Sequence, residues 1–234
     1  IMNFINARKY VTFHKLGGYN LKRHLKPVII FFSMSVATTV YTNLDSVMLK
    51  FMQGDEQVGY YNAAVKVKSI VVSLVTSIGT VLLPRVSYYI EQKKHKEFKE
   101  VTAKAFNLVV LMALPLVIYF IFYAKEAIVF LSGAAYTPAI IPMQVIMPTV
   151  LLIGLTNVMG IQILVPLGKE KYVLISEIVG AVVDLILNAL LIPVYGCTGA
   201  AIGTLAAEFA VLVVQVIALR GILFEILKQV KVLK

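Results

Sequence analysis

Long apolar runs alternate along the chain with short polar stretches. Six runs stand out, at about 27–49, 59–83, 105–123, 139–165, 172–192 and 199–219. As a helix, each is long enough to cross a hydrocarbon core of ~30 Å, which takes about 20 residues. The pattern predicts six transmembrane helices, an all-α polytopic membrane protein. A transmembrane lobe would occupy 27–220, with a basic cytoplasmic linker at 1–26 and a basic cytoplasmic tail at 221–234. The fourth run holds Pro142 and Pro148, which predict a bent or broken helix. The last two runs form a hairpin across the turn Pro193–Gly199, which carries no charge. Its second arm opens with Gly199, Gly203 and Ala207, a ladder of small residues that lets helix backbones approach closely.

Composition agrees with this pattern. Of 234 residues 59% are hydrophobic and 15% charged, with a mean hydropathy of +0.86, whereas a soluble domain carries about 25% charged residues. The net charge of +10 does not point to nucleic acid, because no basic face is interleaved with aromatic residues. Instead 18 of the 22 Lys and Arg fall in segments on alternate sides of the runs: before the first, between the second and third, between the fourth and fifth, and after the sixth. The positive-inside rule then places both ends in the cytoplasm. Cys197 is the sole cysteine, and His14, His24 and His95 are scattered, so neither a disulfide nor a metal cluster is expected. No phosphate loop, dinucleotide fingerprint, zinc-protease motif or nucleophile elbow occurs, and the reading is no enzyme and no cofactor. The first residue is Ile, and the chain reads as part of something longer.

The informative residues are polar ones within the runs. In the second run Asn62, Lys66, Ser69, Ser73, Thr76 and Thr80 recur at steps of four and three, within an arc of ~80°. Such a stripe suits the wall of an aqueous cavity. Its alternative is helix packing, in which hydroxyls serve as small interfacial contacts. Lys66 would attract an anionic substrate group, or else snorkel to the interface. The first run repeats the pattern with Ser35, Thr38, Thr39, Thr42, Asp45 and Ser46. Asp45 reads as a cavity acid paired with Lys66, or as a solvated boundary residue. In the hairpin Glu177, Asp184 and Asn188 share an arc of ~40°, and Glu208 and Gln215 are seven apart on the opposite arm. A mid-membrane Asp costs roughly 2.5–3.5 kcal/mol to insert. Glu177, Asp184 and Glu208 are therefore candidates for ion coupling, against the alternative of structural hydrogen bonding. The candidate substrate cavity comprises Asn62, Lys66, Ser69, Ser73, Thr76, Thr42 and Asp45.

Several short blocks, in this order, resemble the polysaccharide flippases: Asn43–Leu49, Val58–Ala64, Leu83–Arg85, Leu167–Lys171, and Leu187 through Ala201 to Glu208. These are similar to the O-antigen and capsule (Wzx-like) branch of the multidrug/oligosaccharidyl-lipid/polysaccharide (MATE-like) exporter superfamily. The resemblance implies that the six helices form the C-terminal lobe of a two-lobe transporter, whose N-terminal lobe is absent from this chain. It further implies a multi-pass protein of the bacterial inner membrane that moves undecaprenyl-diphosphate-linked oligosaccharide repeat units across the bilayer by alternating access. The implied partners are the lipid-linked oligosaccharide, membrane lipids, and the polymerase and glycosyltransferases of glycan assembly. Lys66 and its stripe would meet the diphosphate or sugar hydroxyls; Asp45, Glu177 and Asp184 would meet sugar or a coupling ion. Rival readings are a MATE-type cation or drug antiporter, a peptidoglycan-precursor flippase, and a non-transport scaffold of glycan assembly.

Overall fold

The structure, a computed structural model, describes residues 22–227. Most of the basic linker and half of the tail expected from sequence lie outside these residues, as do the side chains of Thr42 and Thr80. Every described element is a helix: α1 (Lys22–Gln53), α2 (Asp55–Glu91), α3 (His95–Phe122), α4 (Ala124–Ser132), a 3-10 turn (Ala134–Ala139), α5 (Ile140–Ile146), α6 (Thr149–Asn157), a π-helical segment (Val158–Leu164) and α7 (Glu170–Leu227).

Two described helices, His95–Phe122 and Glu170–Gly221, are long and apolar enough to cross a membrane outright. Two bent pairs are long and apolar enough only when each is taken as one span. Asp55–Ser77 and Leu82–Glu91 meet at 41°, and Ala134–Ile146 and Thr149–Leu164 at 46°. The second pair is the broken fourth run, where Pro148 opens α6 and interrupts the hydrogen-bond ladder. The third helix starts at His95, ten residues before the apolar run at 105. Its first turns are amphipathic, with Phe98, Thr102 and Ala103 buried while Lys96, Glu97 and Glu100 face outward.

The hairpin differs from expectation in its turn. Helix continues through Pro193 and breaks at Gly196 alone, with φ 55° and ψ −132°. In an unbroken helix the Cys197 N–H would bond to the Pro193 carbonyl. At the break the two separate, and the α1–α2 turn supplies both with new partners. Gln53 Nε2 donates to the Ile192 and Pro193 carbonyls, both at 3.1 Å. Gln57 Oε1 accepts from the Cys197 N–H at 3.0 Å.

α7 thus consists of two antiparallel arms, at 170–195 and 197–227. Their contact follows the small-residue ladder. A Cβ at Gly199 would lie 2.5 Å from the Leu191 carbonyl oxygen, and one at Gly203 would lie 2.3 Å from Asn188 Oδ1. Alanines fill other helix contacts, among them Ala64, Ala105, Ala113, Ala200, Ala201 and Ala207. Lipid tails are as apolar as Leu, so close packing of small residues holds such a bundle better than exclusion of water does. The turns at Gly54 and Gly196 gather at one end with Tyr136, whose ring meets that of Tyr60 at 6.0 Å. The basic turns at 92–94 and 168–169 lie at the other end of the helices.

Gly196→Ala is expected to destabilise the protein by about 1–3 kcal/mol, since the new Cβ imposes strain at positive φ and meets Gln57 Oε1 at 2.6 Å. Adding Gln57→Ala removes the contact but not the strain, so thermal unfolding of the double variant in detergent should stay well below wild type.

Candidate functional site

A carboxylate within a helix bundle needs hydrogen-bond donors from its neighbours, because lipid offers none. Asp45 of α1 is buried and draws these donors from three helical segments. Tyr61 of α2 donates its hydroxyl to Asp45 Oδ2. Thr204, on the second arm of α7, donates to the same oxygen at 3.0 Å and contacts the Tyr61 hydroxyl at 2.9 Å. Asn188, on the first arm, donates from Nδ2 to Asp45 Oδ1 at 2.6 Å and to Asp184 Oδ2 at 3.1 Å. One amide nitrogen therefore joins two carboxyl groups whose oxygens lie no more than ~6 Å apart, close enough for strong mutual repulsion if both are ionised. Asp184 and Asn188 are fully buried, and the Oδ1 atom of each lacks a hydrogen-bond partner. Both of these oxygens lie against Gly203, where a side chain would displace them.

This cluster closes one end of a 460 Å³ cavity between α1, α2, the α6–π segment and both arms of α7. Its polar wall includes Thr38, Asp45, Lys68, Ser69, Ser73, Asn157, Glu177, Glu208 and Gln215. Thr38 donates a hydrogen bond to Glu177. Lys68 is half-buried and sits in the field of Glu208, Asp45 and Asp184. Gln215 donates to the Ser176 hydroxyl at 3.1 Å. Three carboxyl groups and one ammonium thus face the space among the described residues, with Asp184 one hydrogen bond behind.

The sequence-predicted residues divide. Ser69, Ser73, Asp45, Glu177 and Glu208 stand in the wall. Asp184 is buried behind it, held by Asn188. Lys66 and Asn62 are exposed and outside the wall, and Asn62 accepts a hydrogen bond from Ser46 at 3.1 Å. Thr76 is half-buried, away from the wall, and bonds to the Val72 carbonyl at 2.9 Å. The Thr42 side chain is outside the described residues. The expected Asp45–Lys66 pairing is replaced by Asp45–Tyr61, and Lys68 is the cation of the wall.

The displacement has a simple origin. The wall of α2 is formed by Tyr61, Val65, Lys68, Ser69, Val72 and Ser73, a face rotated by ~60° from the hydroxyl stripe. Ser73 and Thr76 return their hydroxyl hydrogens to backbone carbonyls four residues earlier. Their spacing therefore marks a face that satisfies itself rather than one that requires a polar neighbour. The seven-residue spacing of Tyr61 and Lys68 was the available signal. Asn188 likewise follows Asp184 by one helical turn.

Known proteins bear on this arrangement in two ways. Residues 2–90 match the family described as "Polysaccharide biosynthesis protein". A putative O-antigen transporter of Shigella dysenteriae is 26% identical over 216 residues, covering 92% of this chain and 54% of the relative. One from Escherichia coli (strain K12) is 27% identical over 202 residues, covering 82% of this chain and 46% of the relative. A probable low-salt glycan biosynthesis flippase of Haloferax volcanii is 22% identical, covering 89% of this chain and 40% of the relative. The chain spans about half the length of these curated relatives. Among solved structures, MATE in the straight conformation superposes with a TM-score of 0.74 at 17% identity, over 82% of this chain and 43% of that one. An inward-facing multidrug resistance MATE family transporter gives 0.65 at 17% identity, over 85% and 51%. These relatives are named as transporters and flippases, and the chain resembles the Wzx-like polysaccharide flippases by sequence and has the fold of one lobe of a MATE-like exporter.

Proposed function

We propose that this lobe is half of a flippase that carries undecaprenyl-diphosphate-linked oligosaccharide repeat units across the bacterial cytoplasmic membrane, with both ends of the chain in the cytoplasm. The cargo would serve O-antigen, capsule or exopolysaccharide synthesis, and would be handed between glycosyltransferases and polymerase. The observation that carries this reading is a mixed polar cavity in a chain similar to O-antigen transporters. Hydroxyls, amides and carboxyls around 460 Å³ of space suit sugar hydroxyl groups, which both donate and accept. Lys68 takes the role that the sequence suggested for Lys66, as the wall's contact for a phosphate oxygen.

The acids support coupling to a cation. Two carboxyl groups bridged by one amide repel each other when both are charged, and a proton or small cation between them relieves this repulsion. Asp45 and Asp184 would hold it, with the partnerless oxygens of Asp184 and Asn188 and the Thr204 hydroxyl as further ligands. Glu177 and Glu208 would pass it along the cavity wall. The excess of acid over base in the wall also favours a second reading, antiport of organic cations.

Reconstitution of the complete two-lobe protein in proteoliposomes separates these readings. With a fluorescent undecaprenyl-diphosphate oligosaccharide, Lys68→Ala is expected to slow translocation about tenfold, the loss of one charge-assisted hydrogen bond. Lys66→Ala should leave the rate unchanged. Movement of an organic-cation dye without movement of glycolipid would replace the flippase reading with antiport. Under an imposed proton or sodium gradient, wild type should run faster than without one. Asp184→Asn should lose that acceleration, five- to 150-fold at the usual size of such couplings, and keep exchange without a gradient. Equal acceleration of wild type and variant would remove Asp184 from coupling.

A further inference from the structure

At the basic end of the bundle the two arms of α7 enclose a second groove, of 630 Å³. Tyr172 and Ile175 of the first arm line it, with Val214, Ile217, Arg220 and Gly221 of the second. On both arms this face is turned by more than ~100° from the one that lines the acidic cavity, so the groove is a separate site. Its apolar part looks outward. Ile175 and Ile217 are exposed, in line with Ile178 and Val182 further along the first arm. Lipid chains surround such a face in a membrane. Arg220 changes the groove's character. It lies 23 residues from Cys197, or ~35 Å along the second arm, and Tyr172 lies equally far from Tyr195 along the first. That is just beyond a hydrocarbon core of ~30 Å, in the headgroup layer that favours Arg and Tyr. Arg220 is exposed and takes part in no ion pair among the described residues. The turn beside it adds Lys169 and Lys171 against the acid Glu170. Two other grooves at the bundle surface offer an anion no such partner. One, of 490 Å³, has a wholly apolar lining, and the other, of 500 Å³, carries the acid Glu126.

We propose that this groove is a binding site for an anionic phospholipid. The Arg220 guanidinium pairs with the headgroup phosphate through parallel N–H···O bonds, a geometry that suits phosphate. The Tyr172 hydroxyl supplies a further donor at the same level. An anionic headgroup is preferred to a zwitterionic one, whose own ammonium competes with Arg220 for the phosphate. One acyl chain descends past Ile217, Ile175 and Val214, along ~9 Å of the arms. Basic pockets between membrane helices seat anionic headgroups in this way. Gly221 keeps the mouth of the groove open, since a Cβ there would meet nothing within 4 Å. The arms are joined at the Gly196 break but by no turn at this end, and a lipid seated between them braces the free end. The leaflet that supplies the lipid rests on the orientation given above for transport; the binding itself does not.

The test titrates the complete two-lobe protein in detergent with phosphatidylglycerol, and separately with phosphatidylcholine of the same chains, and counts bound lipid by native mass spectrometry. Wild type is expected to bind phosphatidylglycerol more tightly than phosphatidylcholine. Arg220→Gln should weaken phosphatidylglycerol binding about tenfold, the loss of a charge-assisted contact. Gly221→Leu keeps the charge but fills the mouth of the groove, and should weaken binding by a similar factor. Both positions are exposed, so neither change disturbs the core. Lys94→Gln, at the same end but outside the groove, should leave binding as in wild type. An equal loss with Lys94→Gln would show diffuse attraction to the basic end and overturn the site. Wild-type binding by either groove variant would overturn it too. So would displacement of phosphatidylglycerol by equimolar undecaprenyl diphosphate, which would give the groove to the cargo. Phosphatidylglycerol binding is measured without glycolipid movement, so its failure and that of the flippase reading are told apart.

Discussion

A carboxyl group in the middle of a helix bundle has no solvent to fall back on, so the helices around it must supply its partners. Asp45 imposes that constraint here. Tyr61, Asn188 and Thr204 are placed to meet it, and through them α1, α2 and both arms of α7 take their relative positions. Gly203 lets the arms approach closely enough for Asn188 to reach across. The glutamines of the α1–α2 turn act similarly at the Gly196 end, where a broken helix would otherwise leave a carbonyl and an N–H unpaired. In both places, a polar group that cannot be hydrated fixes the geometry more tightly than apolar contact alone would.

The same constraint separates structural from functional polarity. Hydroxyls on α2 that bond to their own helix need nothing from their surroundings, and they occur both in the cavity wall, at Ser73, and away from it, at Thr76. Groups that cannot satisfy themselves locally, such as Asp45, Lys68, Asn188 and Gln162, report what lies around them. Asp45 is satisfied, Lys68 is balanced by nearby acids, and Asn188 and Gln162 retain unpaired atoms.

The lobe architecture was largely legible from the chain. Twenty-residue apolar runs, prolines in the fourth and the small-residue ladder of the last each have a local cause, and the folded helices follow them. Asp45, Glu177, Asp184 and Glu208 were also legible, because an acid within an apolar run is costly and so conspicuous. What the sequence by itself determined was which segments become helices and which of them carry acids within an apolar run, since both depend on short-range spacing and composition. The tertiary structure alone decided which faces meet. Helix periodicity leaves rotation about the axis open to within ~60°, enough to exchange Lys66 for Lys68. It alone brought together Asp45 and Thr204, 159 residues apart, because that contact depends on how closely glycines on a distant arm allow two backbones to pack.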